Sequence, residues 1–426
     1  MISSQSRSLT DVAETRKHRR SFYGWYVVLA AFVVTLIGFG SAYTFGAFVG
    51  SLEHDFRASR GSVSIVFSLA GFLYFALGAF SGPLADRWGA RRLAVLGMLV
   101  TGAGLIAAGF ASSLTGVYFS YGLGIGLGVG LSYVPVLGAV QRWFIRRRGL
   151  ASGLAVSGIG IGTLVMPPLA SFLVAATGWR HAYLVLGLLA ASVGCGFALL
   201  IANDPYEKGQ SPDGDAVMDS AKLPQAQGVS IKVAVTSRRF ICLYAACLIG
   251  SFGLFIPFVH LVPYAQDHGI TPANAVLLLG MIGIGSTAGR FVLGGLADRM
   301  ERVIAVLAMF VGIALSMIIW FASTGFIMLA VFASVFGIFY GGFVALLPAL
   351  VMDDFGGKNV GGLIGILYTS VAFGTLVGPS LAGFAFDMRH SYSLSIVASA
   401  MASLVAACIL VCASRARVPV QNNDLA

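Results

Sequence analysis

The chain has 426 residues, of which 58% are hydrophobic and only 10% are charged, and its mean hydropathy is +0.88. This composition excludes a soluble globular domain of such length. A net charge of +10 would fit a nucleic-acid partner, but the placement of the charges, given below, argues against one.

Apolar runs of roughly 20 residues, the length that a helix needs to cross a bilayer, recur along the whole chain. None alternates between apolar and polar residues as the strands of an outer-membrane barrel do. The sequence therefore predicts an all-α membrane protein with twelve transmembrane helices in contact with the lipid bilayer. The predicted spans are 23–50, 61–83, 91–112, 115–141, 149–175, 179–202, 239–266, 273–297, 303–323, 325–352, 359–386 and 391–414.

Basic residues are unevenly distributed between the two predicted sides of the membrane. All but five of the 27 Lys and Arg fall in the N-terminus, every second loop and the C-terminus. The exceptions are Arg57, Arg60, Arg180, Arg389 and Arg290. Because basic loops stay on the cytoplasmic side, we expect a multi-pass protein of the plasma membrane, in a bacterium the inner membrane. Both termini should be cytoplasmic, and the basic charge requires no nucleic acid.

Two motifs occur twice in the chain at one spacing. GPLADRW at 82–88 recurs as GGLADRM at 294–300, and GTLVMP at 162–167 recurs as GTLVGP at 374–379. The offset is the same for both, since 298 − 86 = 212 and 374 − 162 = 212. The repeat predicts two six-helix halves, 1–202 and 239–426, joined by a polar cytoplasmic linker at 203–238.

The loop motif after the second span, GPLADRWGARR at 82–92, resembles a signature of the major facilitator superfamily, and 294–302 resembles its second copy. The resemblance implies the fold of that superfamily. Two interpretations of the motif remain open. It is either a gate latch or a set of helix caps and topology anchors. The residues concerned are Asp86, Arg87, Asp298 and Arg299.

Segment 141–168, QRWFIRRRGLASGLAVSGIGIGTLVMPP, resembles the fifth-span signature of the monocarboxylate transporters and of the related oxalate:formate antiporters. FYGWYVV at 22–28 resembles the first-span motif of the same family, although an interfacial aromatic belt is the favoured interpretation of these residues. The resemblance implies a secondary transporter of small organic anions that works by alternating access as a monomer. An enzyme, a cofactor and a metal site are not expected.

Arg290 is the one charged residue well inside a predicted span. An arginine is costly in hydrocarbon and usually faces a cavity or a partner, and its planar fork fits a carboxylate. No acid shares its depth, about 12 Å from the end of the span, so the site is predicted to receive an anion. The family resemblance places a substrate-binding arginine here and a contributing tyrosine at Tyr133, which lies at a similar depth in the other half.

Three other tyrosines, Tyr43, Tyr340 and Tyr368, are weaker candidates for the cavity wall. His260 in the seventh span is a candidate for proton coupling, because histidine titrates near neutral pH; it could also be a packing residue. The chain departs from the family at Ser286, where the animal proteins carry an aspartate one turn before the arginine. Their first-span lysine is also absent from YTFGAF at 43–48.

The predicted function is therefore secondary active transport of a lactate- or pyruvate-like monocarboxylate, with the substrate carboxylate on Arg290 and with proton symport as the expected coupling. Exchange of organic anions such as oxalate and formate is the alternative. The oxalate:formate antiporter has a second cation in the eleventh span, where this chain has Ser370 or Val371, and a single cation favours a monoanion. A drug:proton exporter and a non-transporting receptor are less well supported, because the spans contain no acid and the gate motif is duplicated.

Overall fold

The computed structural model describes residues 22–214, 228–297, 300–356 and 359–414. It contains twelve helices that are long and apolar enough to span a membrane, as the sequence predicts. They are α1 Gly24–Ala47, α2 Arg60–Trp88, α3 Ala90–Gly109, α4 Leu114–Trp143, α5 Arg148–Thr177, α6 Trp179–Ala198, α7 Arg238–Asp267, α8 Pro272–Leu293, α9 Arg302–Phe321, α10 Phe326–Phe355, α11 Val360–Arg389 and α12 Ser393–Val411. Beyond these spans, the last turns of α8 and α12 run on to Ala297 and Ser414.

The helix of the first span, predicted over 23–50, continues beyond residue 50. The helix is interrupted at Thr44 and continues as Phe45–Phe56, which becomes polar in its last turns. It stops at Arg57, whose backbone is left-handed with φ 47°. This extension carries Glu53 and Asp55 to the end of the bundle away from residues 203–214. We call the end at 203–214 and 228–237 the linker face and the other end the opposite face.

The helices repeat with the offset that the motifs predict. Helices α2, α3, α4 and α5 begin at Arg60, Ala90, Leu114 and Arg148, and α8, α9, α10 and α11 begin at Pro272, Arg302, Phe326 and Val360. Each pair of starts is 212 positions apart, as in 272 − 60 = 212. The two six-helix halves, α1–α6 and α7–α12, are thus related by a single offset of 212 residues in these four pairs of helices.

The halves meet along two seams, where α2 packs on α11 and α5 packs on α8. Small residues allow this contact, as is usual for helix packing in membranes. A Cβ added at Gly283 on α8 would lie 2.5 Å from the Gly160 carbonyl oxygen on α5, and one at Gly383 on α11 would lie 2.7 Å from the Cα of Gly61 on α2. The helix backbones are therefore almost in contact at both seams.

The described ends of the linker are folded onto the halves. On the N-terminal side, Asp213 accepts hydrogen bonds from the backbone N–H groups of Ile145 and Arg146, at 3.1 and 2.8 Å. On the C-terminal side, the N–H of Val229 donates to the carbonyl of Phe355 at 3.1 Å, and a short helix, Ile231–Thr236, follows. Each end of the linker thus belongs to the half that it adjoins.

Candidate functional site

Arg290 lies on α8 at the α5–α8 seam, and its side chain is buried, with 6% of the residue exposed. Its Nη1 donates a hydrogen bond to the carbonyl oxygen of Val156 on α5, at 3.2 Å. Its Nε and Nη2 are also buried and have no hydrogen-bond partner among the described residues. A buried cation with two unused donors is energetically unfavourable unless an anion completes it.

The two unused donors form one edge of the guanidinium plane. Nε–H and Nη2–H point in nearly the same direction, so this edge gives a carboxylate two parallel hydrogen bonds. The bond from Nη1 to Val156 fixes the orientation of the plane from the other side. An edge of this geometry can donate two parallel hydrogen bonds to one planar anion, which a lysine ammonium cannot do.

A central cavity lies between the halves beside Arg290. The space open to the centres of water molecules is ≈ 30 Å³, enough for about two waters. The wall is aromatic and aliphatic, and its lining contains no carboxylate or histidine in the described part of the chain. The lining residues are Phe39, Tyr43, Phe75, Tyr133, Ile159, Leu254, Phe255, Tyr340, Phe343, Val344, Leu347, Tyr368 and Val371.

All four tyrosines predicted from the sequence line this cavity, and all four lie near Arg290. The hydroxyls of Tyr43 and Tyr340, from opposite halves, are hydrogen-bonded to each other at 3.0 Å. Tyr133 packs edge-on against Phe39 with ring centroids 5.0 Å apart, and Tyr368 packs in the same way against Phe75 at 5.8 Å. Arg290 itself is not among the residues that line the cavity.

Ser286 precedes Arg290 by one helical turn, at the position where the animal proteins carry aspartate. It is buried, and its hydroxyl has no partner in the described structure. The backbone of α10 runs very close to this turn, because a Cβ at Gly341 would overlap the Ser286 carbonyl. The charge of Arg290 is therefore not balanced by an acid on its own helix.

His260 lies outside the cavity wall. It is completely buried on α7, toward the opposite face, and both ring nitrogens have partners. Its Nε2 lies 2.8 Å from the carbonyl oxygen of Pro379, and its Nδ1 lies 2.9 Å from the hydroxyl of Tyr392. A carbonyl only accepts, so Nε2 carries a proton, while the hydroxyl of Tyr392 can donate to Nδ1 or accept from it. Both nitrogens of this histidine are thus hydrogen-bonded in the described conformation.

The predicted gate motif is partly visible. Asp86 lies in the last turn of α2 and pairs with Arg142 of α4 at 3.3 Å, an exposed contact within the N-terminal half. Arg87 is exposed beside it. The second copy, Asp298 and Arg299, lies outside the described residues. The visible copy thus connects two helices of the same half at the linker face.

Sequence reasoning missed the apolar part of the cavity wall. Phe39, Phe75, Phe255 and Phe343 contribute four rings to it. The chain contains 31 phenylalanines, most of them in apolar helices, so composition alone cannot separate a lining ring from a packing ring. Only the rotation of each helix about its axis makes that distinction, and a nearly uniform apolar helix leaves this rotation undetermined.

Comparison with known proteins agrees with this architecture. The sequence model of the Major Facilitator Superfamily matches residues 30–325 and 241–425. The chain is 30% identical to monocarboxylate transporter 11 of Mus musculus over 397 residues, 88% of this chain and 84% of that protein. It is also 30% identical to monocarboxylate transporter 13 of Bos taurus, over 91% of this chain and 89% of that protein.

The fold is also similar to that of a solved transporter. A bacterial homolog of the human lysosomal transporter Spinster, in its inward-facing and unoccupied conformation, superposes with a TM-score of 0.69. The match covers 93% of this chain and 98% of that structure at 15% identity, so it supports the fold alone. Taken with the twelve spans and the internal repeat, these similarities show that the chain belongs to the major facilitator superfamily and, within it, to the monocarboxylate transporter family.

Proposed function

We propose that this protein is a secondary transporter of small monocarboxylate anions, such as lactate or pyruvate, and that the substrate carboxylate binds Arg290. The observation that carries the proposal is the pair of buried, unpartnered donors, Nε and Nη2, beside a cavity between the halves. Arg290 provides one positive charge, and the described cavity lining contains no cation. The site therefore suits a substrate with a single negative charge. The small apolar wall suits a short tail.

Binding requires the wall to move. The cavity has room for about two water molecules. A lactate ion is larger than this and does not fit the cavity as it stands. Tyr43 and Tyr340 are attached to different halves, so their mutual hydrogen bond breaks when the halves separate. In the proposed cycle, the parting halves expose the donor edge of Arg290, the anion binds, and the tyrosine hydroxyls close around it.

The charge of the site explains how substrate movement could be coupled to the movement of a proton or of a second anion. The site with Arg290 alone is positive, and a bound monoanion neutralises it, which lowers the cost of moving the closed site through the membrane. Two modes satisfy this condition, namely proton symport, with His260 as the candidate proton carrier, and exchange of one anion for another. The absence of a titratable acid from the described lining is the specific observation that favours exchange.

The orientation in the membrane is part of the same proposal. We assign the linker face to the cytoplasm, because the basic loops at 87–92 and 142–148 lie there. The opposite face, with Glu53 and Asp55, is then external. The protein would reside in the plasma membrane and act as a monomer.

Uptake of labelled L-lactate into proteoliposomes tests the function and its coupling together. We expect saturable uptake that an inward proton gradient stimulates severalfold if symport operates. If exchange operates, we expect uptake that preloaded unlabelled lactate stimulates while the proton gradient has no effect. Absence of lactate and pyruvate flux in all these conditions would refute the proposed substrate class.

Tyr133→Phe tests the role of the tyrosine wall. Loss of one hydroxyl from the substrate site should raise the KM for lactate by roughly three- to tenfold, since a hydrogen bond contributes about 0.5–1.5 kcal/mol, or more with a charged partner. Tyr244→Phe is the matched control, because its hydroxyl bonds Thr369 within the C-terminal half at 3.0 Å, away from the cavity lining. Equal KM values in both variants would remove Tyr133 from the site.

A further inference from the structure

Arg60, the first residue of α2, connects the two halves at the opposite face. Its side chain is 13% exposed. Its Nε donates to Glu53 of the same half at 2.9 Å, while its Nη1 and Nη2 donate to the two carboxylate oxygens of Asp267 in the other half, at 2.6 and 3.4 Å. All three guanidinium nitrogens of Arg60 thus donate hydrogen bonds to carboxylates, one carboxylate in each half.

Two more groups of the C-terminal half hold the same helix end. Asp387 of α11 accepts hydrogen bonds from the backbone N–H groups of Arg60 and Gly61, at 3.0 and 2.8 Å. A carboxylate at this end of a helix is favoured by the unpaired amides and by the helix dipole. Tyr392 accepts from Nη1 of Arg60 at 3.2 Å. The start of α2 is therefore bound to α7, to α11 and to the residue just before α12.

The junction extends inward through Tyr392. Its hydroxyl accepts from Arg60 and is also hydrogen-bonded to Nδ1 of His260, so one side chain connects the histidine to the ion pairs. His260, Tyr392, Asp267 and Asp387 all belong to the C-terminal half and stay together if the halves separate. Arg60 and Glu53 both belong to the N-terminal half and likewise stay together.

From this division of partners we infer that Arg60 is the latch of a gate at the opposite face, bound to Asp267 when that face is closed and retained by Glu53 when it opens. The inference rests on the alternating-access function proposed above. Opening breaks the bonds to Asp267, Asp387 and Tyr392 but leaves Arg60 with one carboxylate. The latch residue is therefore never left without a counter-ion, which lowers the cost of each opening.

The geometry also gives the gate a response to acid. Burial raises the pKa of Glu53 above its ordinary value even though Arg60 opposes this shift. The charged or titratable groups around it are Arg60, Asp267, Asp387 and Tyr392, with His54 and Asp55 as chain neighbours. When the face opens and water reaches Glu53, its pKa falls back toward the ordinary value. The closed state thus binds the proton more tightly than the open state does. Lowering the pH through the range between the two pKa values of Glu53 therefore favours closure.

Accessibility of a buried cysteine measures the gate without any transported substrate. Ser68 lies on α2 eight residues beyond Arg60, or about 12 Å deeper, and is completely buried, hydrogen-bonded at 2.8 Å to Ser380 of α11. The reporter is Ser68→Cys in a chain whose five native cysteines are changed to serine. Asn274→Cys, on an exposed residue of the same face, reports access that does not depend on the gate. A membrane-impermeant thiosulfonate is added to sealed vesicles of the orientation in which Asn274→Cys reacts.

The expected result is an increase of at least about tenfold in the labelling rate of Ser68→Cys when Arg60→Gln or Asp267→Asn is added. Arg180→Gln is the matched control. Arg180 lies at the same face but pairs with Asp55 of its own half at 2.7 Å, and the hydrogen bonds from Trp179 and Arg180 hold the pKa of Asp55 below its usual range. This control should leave the labelling rate unchanged.

Glu53→Gln should act in the opposite direction and lower the labelling rate, because it removes the counter-ion of the open state. Lowering the pH from about 7 to about 5 should also lower the rate of Ser68→Cys relative to that of Asn274→Cys, and Glu53→Gln should abolish this response. Equal rates in Arg60→Gln, Asp267→Asn and Arg180→Gln would overturn the latch. Lactate uptake by the same vesicles reports separately on the proposed function.

Discussion

Arg290→Lys should reduce lactate uptake at low substrate concentration by about ten- to a hundredfold, although the positive charge is kept. The wild-type side chain donates to the Val156 carbonyl from Nη1 and leaves Nε and Nη2 without a described partner, so that both can bind the proposed anion. A lysine ammonium has no planar edge and loses at least one charged hydrogen bond, which contributes roughly 1.5–3 kcal/mol. Arg290→Ala should reduce uptake to the level of empty vesicles.

Initial rates in proteoliposomes with equal amounts of folded protein give the comparison. Arg180→Lys is the matched control, since this exposed arginine pairs with Asp55 at the opposite face and should tolerate the change. Wild-type rates in Arg290→Lys would show that the site needs only a charge and would contradict the bidentate geometry. Wild-type rates in Arg290→Ala would remove the residue from substrate binding altogether.

Gly283→Ala should reduce the transport rate by at least about tenfold, because the added methyl group would disturb the packing of one half against the other. The added Cβ would lie 2.5 Å from the Gly160 carbonyl oxygen and 2.7 Å from the Leu164 nitrogen, both backbone atoms that cannot rotate away. Overpacking of this kind costs roughly 1–3 kcal/mol, and here it falls on the conformation in which α5 and α8 touch. The closed seam, and with it the formation of the cavity, should be disfavoured.

The matched control is Gly149→Ala near the start of α5, where an added Cβ has no atom within 4 Å. Both variants are compared by initial uptake rate and by thermal unfolding of the purified protein. We expect Gly149→Ala to match the wild type in both. Equal uptake by the two alanine variants would mean that the α5–α8 contact is not formed during transport.

Much of the fold could be predicted because its cause lies in the local sequence. A span is set by about 20 apolar residues and by the charged residues at its ends, so the twelve helices follow from composition. The repeat could be read because two short motifs keep one offset, and the helix starts reproduce it.

The site was only partly predictable for a related reason. Arg290 stands out because a lone cation in an apolar span has few structural uses. Tyr133 was proposed from the family resemblance, and the other three tyrosines were only weak candidates for the cavity wall. The junction at Arg60 left no such signal. Its partner Asp267 is 207 positions away, and both residues stand at helix ends where charges are common. Such a pair is visible only once the helices are assembled.

The folded ends of the linker determine what kind of connection joins the halves. Residues through 214 are held by the α4–α5 turn, through Asp213, and residues from 228 onward are held by the α10–α11 turn, through Val229. Each half therefore carries its own described portion of the linker. Among the described residues, the most extensive contacts that bring the two halves together are those of the helices at the α2–α11 and α5–α8 seams.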